Sequence, residues 1–211
     1  MNKVRFRYSK TGKSKYISHL DLTAAMQRAF LRAGIKLKYS EGFNPHPYMS
    51  VALPLSVGCE SICELIDVGL YEETVPDIKL LKLPEGIVIL DAYKPARKFN
   101  EIKWVSISGN LYYEKPINDG IIEKLRQYFN VGSFIISKRT KRGNKELDII
   151  PYIKDLEFHN DGNVVLKAKI SAQEPTINAE DIINALHDEH KPNHTDIKRL
   201  ELYDSKMQIF K

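Results

Sequence analysis

The sequence predicts two α+β domains in tandem. Three observations predict them. The chain has 211 residues, long for one compact core and comfortable for two of about 100 residues each. Apolar residues recur with period two in several short runs and with period 3.6 in only a few. The runs follow the order strand, helix, strand, strand, helix, strand twice over, which is the βαββαβ, ferredoxin-like plan. Lys94 to Asn100, with Pro95, Arg97 and Lys98, reads as the linker, so the expected domains are residues 1–96 and 97–211.

In the first half, Lys3 to Tyr8 alternates. Val4, Phe6 and Tyr8 point to a core, and Lys3, Arg5 and Arg7 give a basic opposite face. Ser18 opens a helix, with Asp21 three positions on as a variant capping box. Leu22, Met26, Ala29, Phe30 and Ala33 form its buried stripe, and Gly34 ends it. Ile35–Ser40 is a short strand. A stiff loop follows, then strands over 49–57 and 63–70. A weak helical or turn region covers 75–83, and Ile87 to Tyr93 closes the set.

The second half has a strand over 103–113 and a helix over 118–129 with Ile121, Ile122, Leu125 and Phe129 inward. Segments 133–137 and 147–153 flank a basic turn. A hairpin joins 155–159 to 164–170 around Asn160-Asp161-Gly162-Asn163. A helix starts at Asn178 or Ala179 and runs to Leu186, and 197–203 is the last strand. The plan is again βαββαβ, with extra strand. No sequence repeat links the halves.

Composition narrows the function. Hydrophobic residues make up 43% and charged residues 28%, ordinary for a globular protein. No apolar run reaches the length of a membrane span, and Met1 to Arg7 has no signal-peptide pattern, so the chain is expected to be cytoplasmic with no membrane partner. Two cysteines, Cys59 and Cys63, make no disulfide framework. The net charge of +5 is uneven: residues 1–38 carry ten Lys or Arg against the single acid Asp21. That asymmetry points to an anionic partner at the N-terminal end.

The richest segment is Ser40 to Pro54, with three prolines and a glycine between two extended runs. Prolines fix φ and push the preceding residue to extended backbone. Phe43, Asn44 and His46 are therefore presented on a rigid loop, the usual place for recognition or chemistry. A second constellation is Ser18, His19, Asp21, Arg28 and Arg32. Asp21, Arg28 and Arg32 share one helical face, and His19 lies at a helix start, where N–H groups favour an anion. With Arg5 and Arg7 this set suits a phosphate; its plainer reading is a solvated charged face. A third is the basic tip with Lys138, Arg139, Lys141 and Arg142, suited to a nucleic-acid backbone or to solvent.

Weaker patterns carry less. His19, Asp21 and His46 are chemically adequate for a metal, but no spacing demands it. Cys59 and Cys63 fall short of a cluster-binding set and read as small core residues. His187, His190 and His194 straddle Pro192 and read as surface. No phosphate-binding loop, dinucleotide fingerprint, zinc-finger spacing or nucleophile elbow is present. No cofactor or metal is expected.

Several longer motifs carry a resemblance: Tyr16-Ile-Ser-His-Leu-Asp-Leu22, Gln27-Arg28-Ala29, Arg32-Ala33-Gly34, Tyr39 to Pro47, Ala52 to Gly58 and Glu64-Leu65-Ile66-Asp67. Together they resemble the radical-SAM-linked protein family, a domain of unknown function (number 2344). In the second half the resemblance rests mainly on Lys145 to Pro151. It implies a radical SAM protein as partner and points toward RNA or a ribosomal component, without supplying an activity. Ala24, Leu31 and Tyr48 stand where many members are expected to carry basic residues, which reduces the basic surface near the loop.

The expected function is therefore a non-catalytic recognition or accessory protein working with a radical SAM enzyme and binding RNA or a ribonucleoprotein. The alternatives are a metal-independent, nuclease-like enzyme using His19 or His46, and a pure protein-interaction module.

Overall fold

Among the described residues, short strands and three α-helices give an α+β architecture in a computed structural model. It describes residues 2–114, 119–140 and 143–211, with backbone alone at 119, 139, 140 and 189. The chain separates into two compact units, one running to Glu101 and one from Ile102 to Phe210.

The first unit is built from β1 (Asn2–Lys10), α1 (His19–Arg32), β2 (Met49–Val51), β3 (Glu60–Leu70) and β4 (Ile87–Tyr93). Its strands pair antiparallel in the order β4-β1-β3-β2. Val4, Phe6 and Tyr8 meet Leu22, Met26 and Phe30 of α1 in the core, together with Ile66 and Val68 of β3. The Phe6 and Phe30 rings lie 4.9 Å apart between centroids. Ala25 joins the buried face of α1, whereas Ala33 is the half-exposed C-cap.

The end of α1 is a Schellman motif. Ile35 N–H donates to the Phe30 carbonyl and Gly34 N–H to Leu31, both at 3.0 Å. Gly34 takes φ +74°, the left-handed backbone this motif needs.

Several expectations for this unit are corrected. The strand expected over Ile35–Ser40 is reduced to isolated bridges at Leu37 and Tyr39. The strand expected over 49–57 ends at Val51, because Pro54 has no donor and Gly58 turns the chain at φ +91°. The weak helix expected over 75–83 is one 3₁₀ turn, Ile78–Leu80. Pro76 and Pro84 bracket too few residues for a stable helix. The basic face of β1 is only partly solvent-facing: Lys3 is exposed and Arg7 half-buried, but Arg5 is fully buried, as is Lys10 at the end of the strand.

The second unit contains β5 (Trp104–Tyr112), α2 (Asp119–Phe129), β6 (Ile135–Thr140), β7 (Gly143–Asp148), β8 (Ile153–Asn160), β9 (Val164–Ser171), α3 (Ala179–Ala185) and β10 (His194–Tyr203). Its sheet has the antiparallel order β10-β5-β9-β8. β6 and β7 form a separate hairpin after α2. Ile107, Leu111, Leu125, Phe158, Leu166 and Ile182 are buried in this unit. Asn178 and Asp181 form a reciprocal capping box at the start of α3.

Candidate functional site

The serine and aspartate that open α1 are tied to each other. Ser18 Oγ accepts a 3.1 Å bond from the Asp21 N–H and donates a 2.6 Å bond to the Asp21 carboxylate. Asp21 is thus engaged at the helix start rather than along its face toward Arg28. His19, Asp21, Arg28 and Arg32 are all exposed, and the Arg32 guanidinium donates to the Lys82 carbonyl at 2.8 Å. Arg28 and Arg32 border a shallow depression of about 340 Å³ with Leu83 and Pro84.

The proline-rich loop is stapled at its neck. Ser40 N–H donates to the His46 carbonyl at 2.8 Å, and the His46 N–H donates back to Ser40 Oγ at 3.0 Å. Tyr39 and Pro47 form a β-bridge below that pair, and Tyr48 N–H donates to the Lys38 carbonyl at 2.9 Å. Gly42 makes the bend at φ +114°. Beyond the neck, Phe43 stands clear of the protein at 112% relative exposure, and Asn44 and His46 are exposed beside it. A bare aromatic on a closed, short neck is held out with little entropy left to lose on binding.

Among the described residues, no three His, Cys, Asp or Glu side chains come together as a metal-binding group. Cys59 and Cys63 are buried thiols.

Arg5 is positioned for a different task from phosphate binding. It faces Asp67 across the β1–β3 register and binds its carboxylate through Nε at 2.7 Å and Nη2 at 3.1 Å. Nη2 also donates to the Arg97 carbonyl at 2.8 Å, and Phe99 covers the guanidinium with its ring centroid 4.3 Å away. A guanidinium committed to a buried carboxylate is withdrawn from an external phosphate. Arg7 is half-buried opposite Asp91 of β4. Lys10 donates through Nζ to the Ile17 carbonyl at 2.6 Å. Burial pulls its pKa below the usual lysine value, while the nearby Glu64 acts in the opposite sense. The basic excess of residues 1–38 is therefore partly structural.

The segment over Arg5 opens beside a cavity of about 520 Å³ that the sequence reading missed. Lys3, Ser50, Asp67, Lys94, Lys98 and Phe99 line it, among others. The available signal was Asp67 itself, an acid between apolar Ile66 and Val68 in β3, which a buried position obliges to find a cation.

In the second unit, Lys138 contacts the Asp181 carboxylate and donates to the Thr176 carbonyl at 2.6 Å. It braces β6 against the α3 cap and is spent on that contact. The Arg139 side chain, Lys141 and Arg142 lie outside the described residues.

This arrangement defines an α+β protein with an exposed proline-rich loop and a charged helix face in its first unit. The chain belongs to a family of uncharacterized proteins conserved in bacteria (DUF2344), whose sequence model matches residues 3–184. No curated protein matches the chain. Among the described residues, no helix is long and apolar enough to cross a membrane.

Proposed function

We propose that this protein is a non-catalytic recognition protein that binds single-stranded RNA and presents it to a radical SAM enzyme in the cytoplasm. The observation that carries this reading is Phe43, fully exposed on a stapled loop with Asn44 and His46 beside it. An aromatic ring supplies a stacking platform for an unpaired base, and the amide and imidazole offer hydrogen bonds to base edges. Arg28, Arg32 and His19 in the same unit supply exposed groups for phosphate.

The architecture belongs to the same reading: two ferredoxin-like domains in tandem. Each unit has the sheet order of that plan, although the first replaces its second helix by a 3₁₀ turn and the second adds a hairpin. A nuclease would need a base oriented by a partner. Neither the His19 nor the His46 ring donates a hydrogen bond to a described carboxylate, so recognition is favoured over catalysis.

The test is RNA binding across a salt series with the intact chain and the Arg28→Ala/Arg32→Ala variant. Binding at low salt, with a shallower salt slope in the variant, supports the reading. No binding at low salt, or an unchanged slope, rejects it. Co-purification of a radical SAM protein that persists after nuclease treatment tests the partner separately.

A further inference from the structure

The cavity beside Arg5 and Asp67 lies wholly within the first unit, away from the α1 face and the loop tip in its lining residues. Its volume of about 520 Å³ falls within the range of roughly 300–1,000 Å³ typical of small-molecule sites. Four cations, Lys3, Lys94, Arg97 and Lys98, border it against two carboxylates, Asp67 and Glu73. Asp67 is already neutralised by the buried Arg5, and Arg97 pairs with Glu101 at 3.1 Å. Lys94 and Lys98 are exposed and neither forms a salt bridge with a described carboxylate. Lys3 lies 3.9 Å from the Asp67 carboxylate and Lys98 acts electrostatically on Glu101, but the lining cations still outnumber the lining carboxylates four to two, so the hollow keeps a net positive charge.

Its wall is also preorganised. Ser50 of β2 sits opposite Asp67 in the register and contributes a hydroxyl. Phe99 contributes an aromatic surface and is itself fixed by the Arg5 guanidinium. The segment that carries Lys94 and Lys98 is pinned from beneath, because Arg5 Nη2 holds the Arg97 carbonyl at 2.8 Å. The Lys98 N–H donates to Glu101 at 2.8 Å. Lysines on a fixed backbone next to an aromatic wall suit a ligand with a doubly charged phosphate and a flat ring.

We infer that this cavity is a binding site for a nucleoside phosphate monoester, with Lys94 and Lys98 on the phosphate and Phe99 beside the base. Such a group occurs on a free nucleotide and on the 5′ end of an RNA.

The experiment is calorimetric titration of the full chain with four probes: adenosine 5′-monophosphate, adenosine, and a tetraribonucleotide with and without a 5′-phosphate. The expected result is that the monophosphate binds and adenosine does not. Lys94→Ala/Lys98→Ala should weaken it by about tenfold or more with an unchanged melting temperature, since both side chains are exposed. Stronger binding of the phosphorylated oligonucleotide over its unphosphorylated counterpart assigns the site to an RNA end, and equal response of these two assigns it to the free nucleotide. If neither phosphorylated probe binds below about 1 mM, or binding survives in the double variant, the inference is overturned. The Arg28→Ala/Arg32→Ala variant leaves this cavity intact, so its behaviour separates failure here from failure of the RNA reading.

Discussion

Arg5 of β1 and Asp67 of β3 face each other in the sheet and share two hydrogen bonds, at 2.7 and 3.1 Å, with the arginine wholly out of solvent. The pair joins the two central strands of the first unit and, through the Arg97 carbonyl, anchors the segment that follows β4. It also neutralises an acid on the wall of the cavity. Structure and proposed binding therefore meet at one ion pair.

Removing one partner is expected to be far worse than removing both. Asp67→Ala leaves a buried guanidinium uncompensated and should cost about 3–5 kcal/mol. Arg5→Met with Asp67→Leu should recover most of that loss, because two apolar side chains carry no desolvation penalty. Urea denaturation of the three proteins measures this. Equal losses in the single and double variants would show that packing, not charge, is at stake.

Two glycines with left-handed backbone should respond differently to alanine. At Gly34, φ is +74° and a Cβ would meet nothing within 4 Å, so Gly34→Ala should cost only the backbone term of about 1–2 kcal/mol. At Gly86, φ is +85° and a Cβ would stand 2.2 Å from the Thr11 carbonyl oxygen. The Thr11 N–H donates to the Gly86 carbonyl at 2.8 Å, so the turn and its hydrogen bond must both give. Gly86→Ala should therefore be clearly the more destabilising in thermal melts, and the reverse order would contradict the turn geometry.

Phe43 should separate binding from stability. Its side chain touches no core, so Phe43→Ala should change unfolding free energy by less than about 0.5 kcal/mol. A stacked base lost at that ring should cost about 1–3 kcal/mol in RNA affinity. Fluorescence anisotropy with a short labelled RNA, alongside a melt, reads both. A destabilised variant, or one that binds RNA as before, would remove the loop from the proposed interface.

Alkaline stability should depend on Tyr113. Its hydroxyl donates to the His190 carbonyl at 2.9 Å, and burial pushes its pKa up to about 12. A folded pKa above the unfolded value of about 10 means the contribution is complete below pH 10. It is lost as pH rises toward 12, because the unfolded chain ionises first. Denaturation midpoints should fall across that window, less steeply in Tyr113→Phe. Identical slopes in the two proteins would place the alkaline sensitivity elsewhere.

The elements that depend on near neighbours were legible in the chain. β4 occupies the expected residues, Ser18 caps α1, and Gly34 ends it, because capping and turn chemistry act over a few positions. Element lengths were less legible where prolines intervene, as at Pro54 and around Ile78–Leu80. The candidate site divides in the same way. The rigidity of the loop followed from its prolines, while the staple between Ser40 and His46 needed the folded neck.

By itself the sequence determined the α+β pattern, the cap and stop of α1, the stiff loop and the family motifs, since each is written in local spacing. Only the tertiary structure decided which charges are available. Arg5 and Lys10 alternate and cluster like surface residues, and nothing local distinguishes them from Arg28. Asp67 lies sixty-two positions from Arg5, and strand register brings them together. Burial of a charge is set by what lands on the other side of the sheet, and that is a property of the assembled fold rather than of any segment.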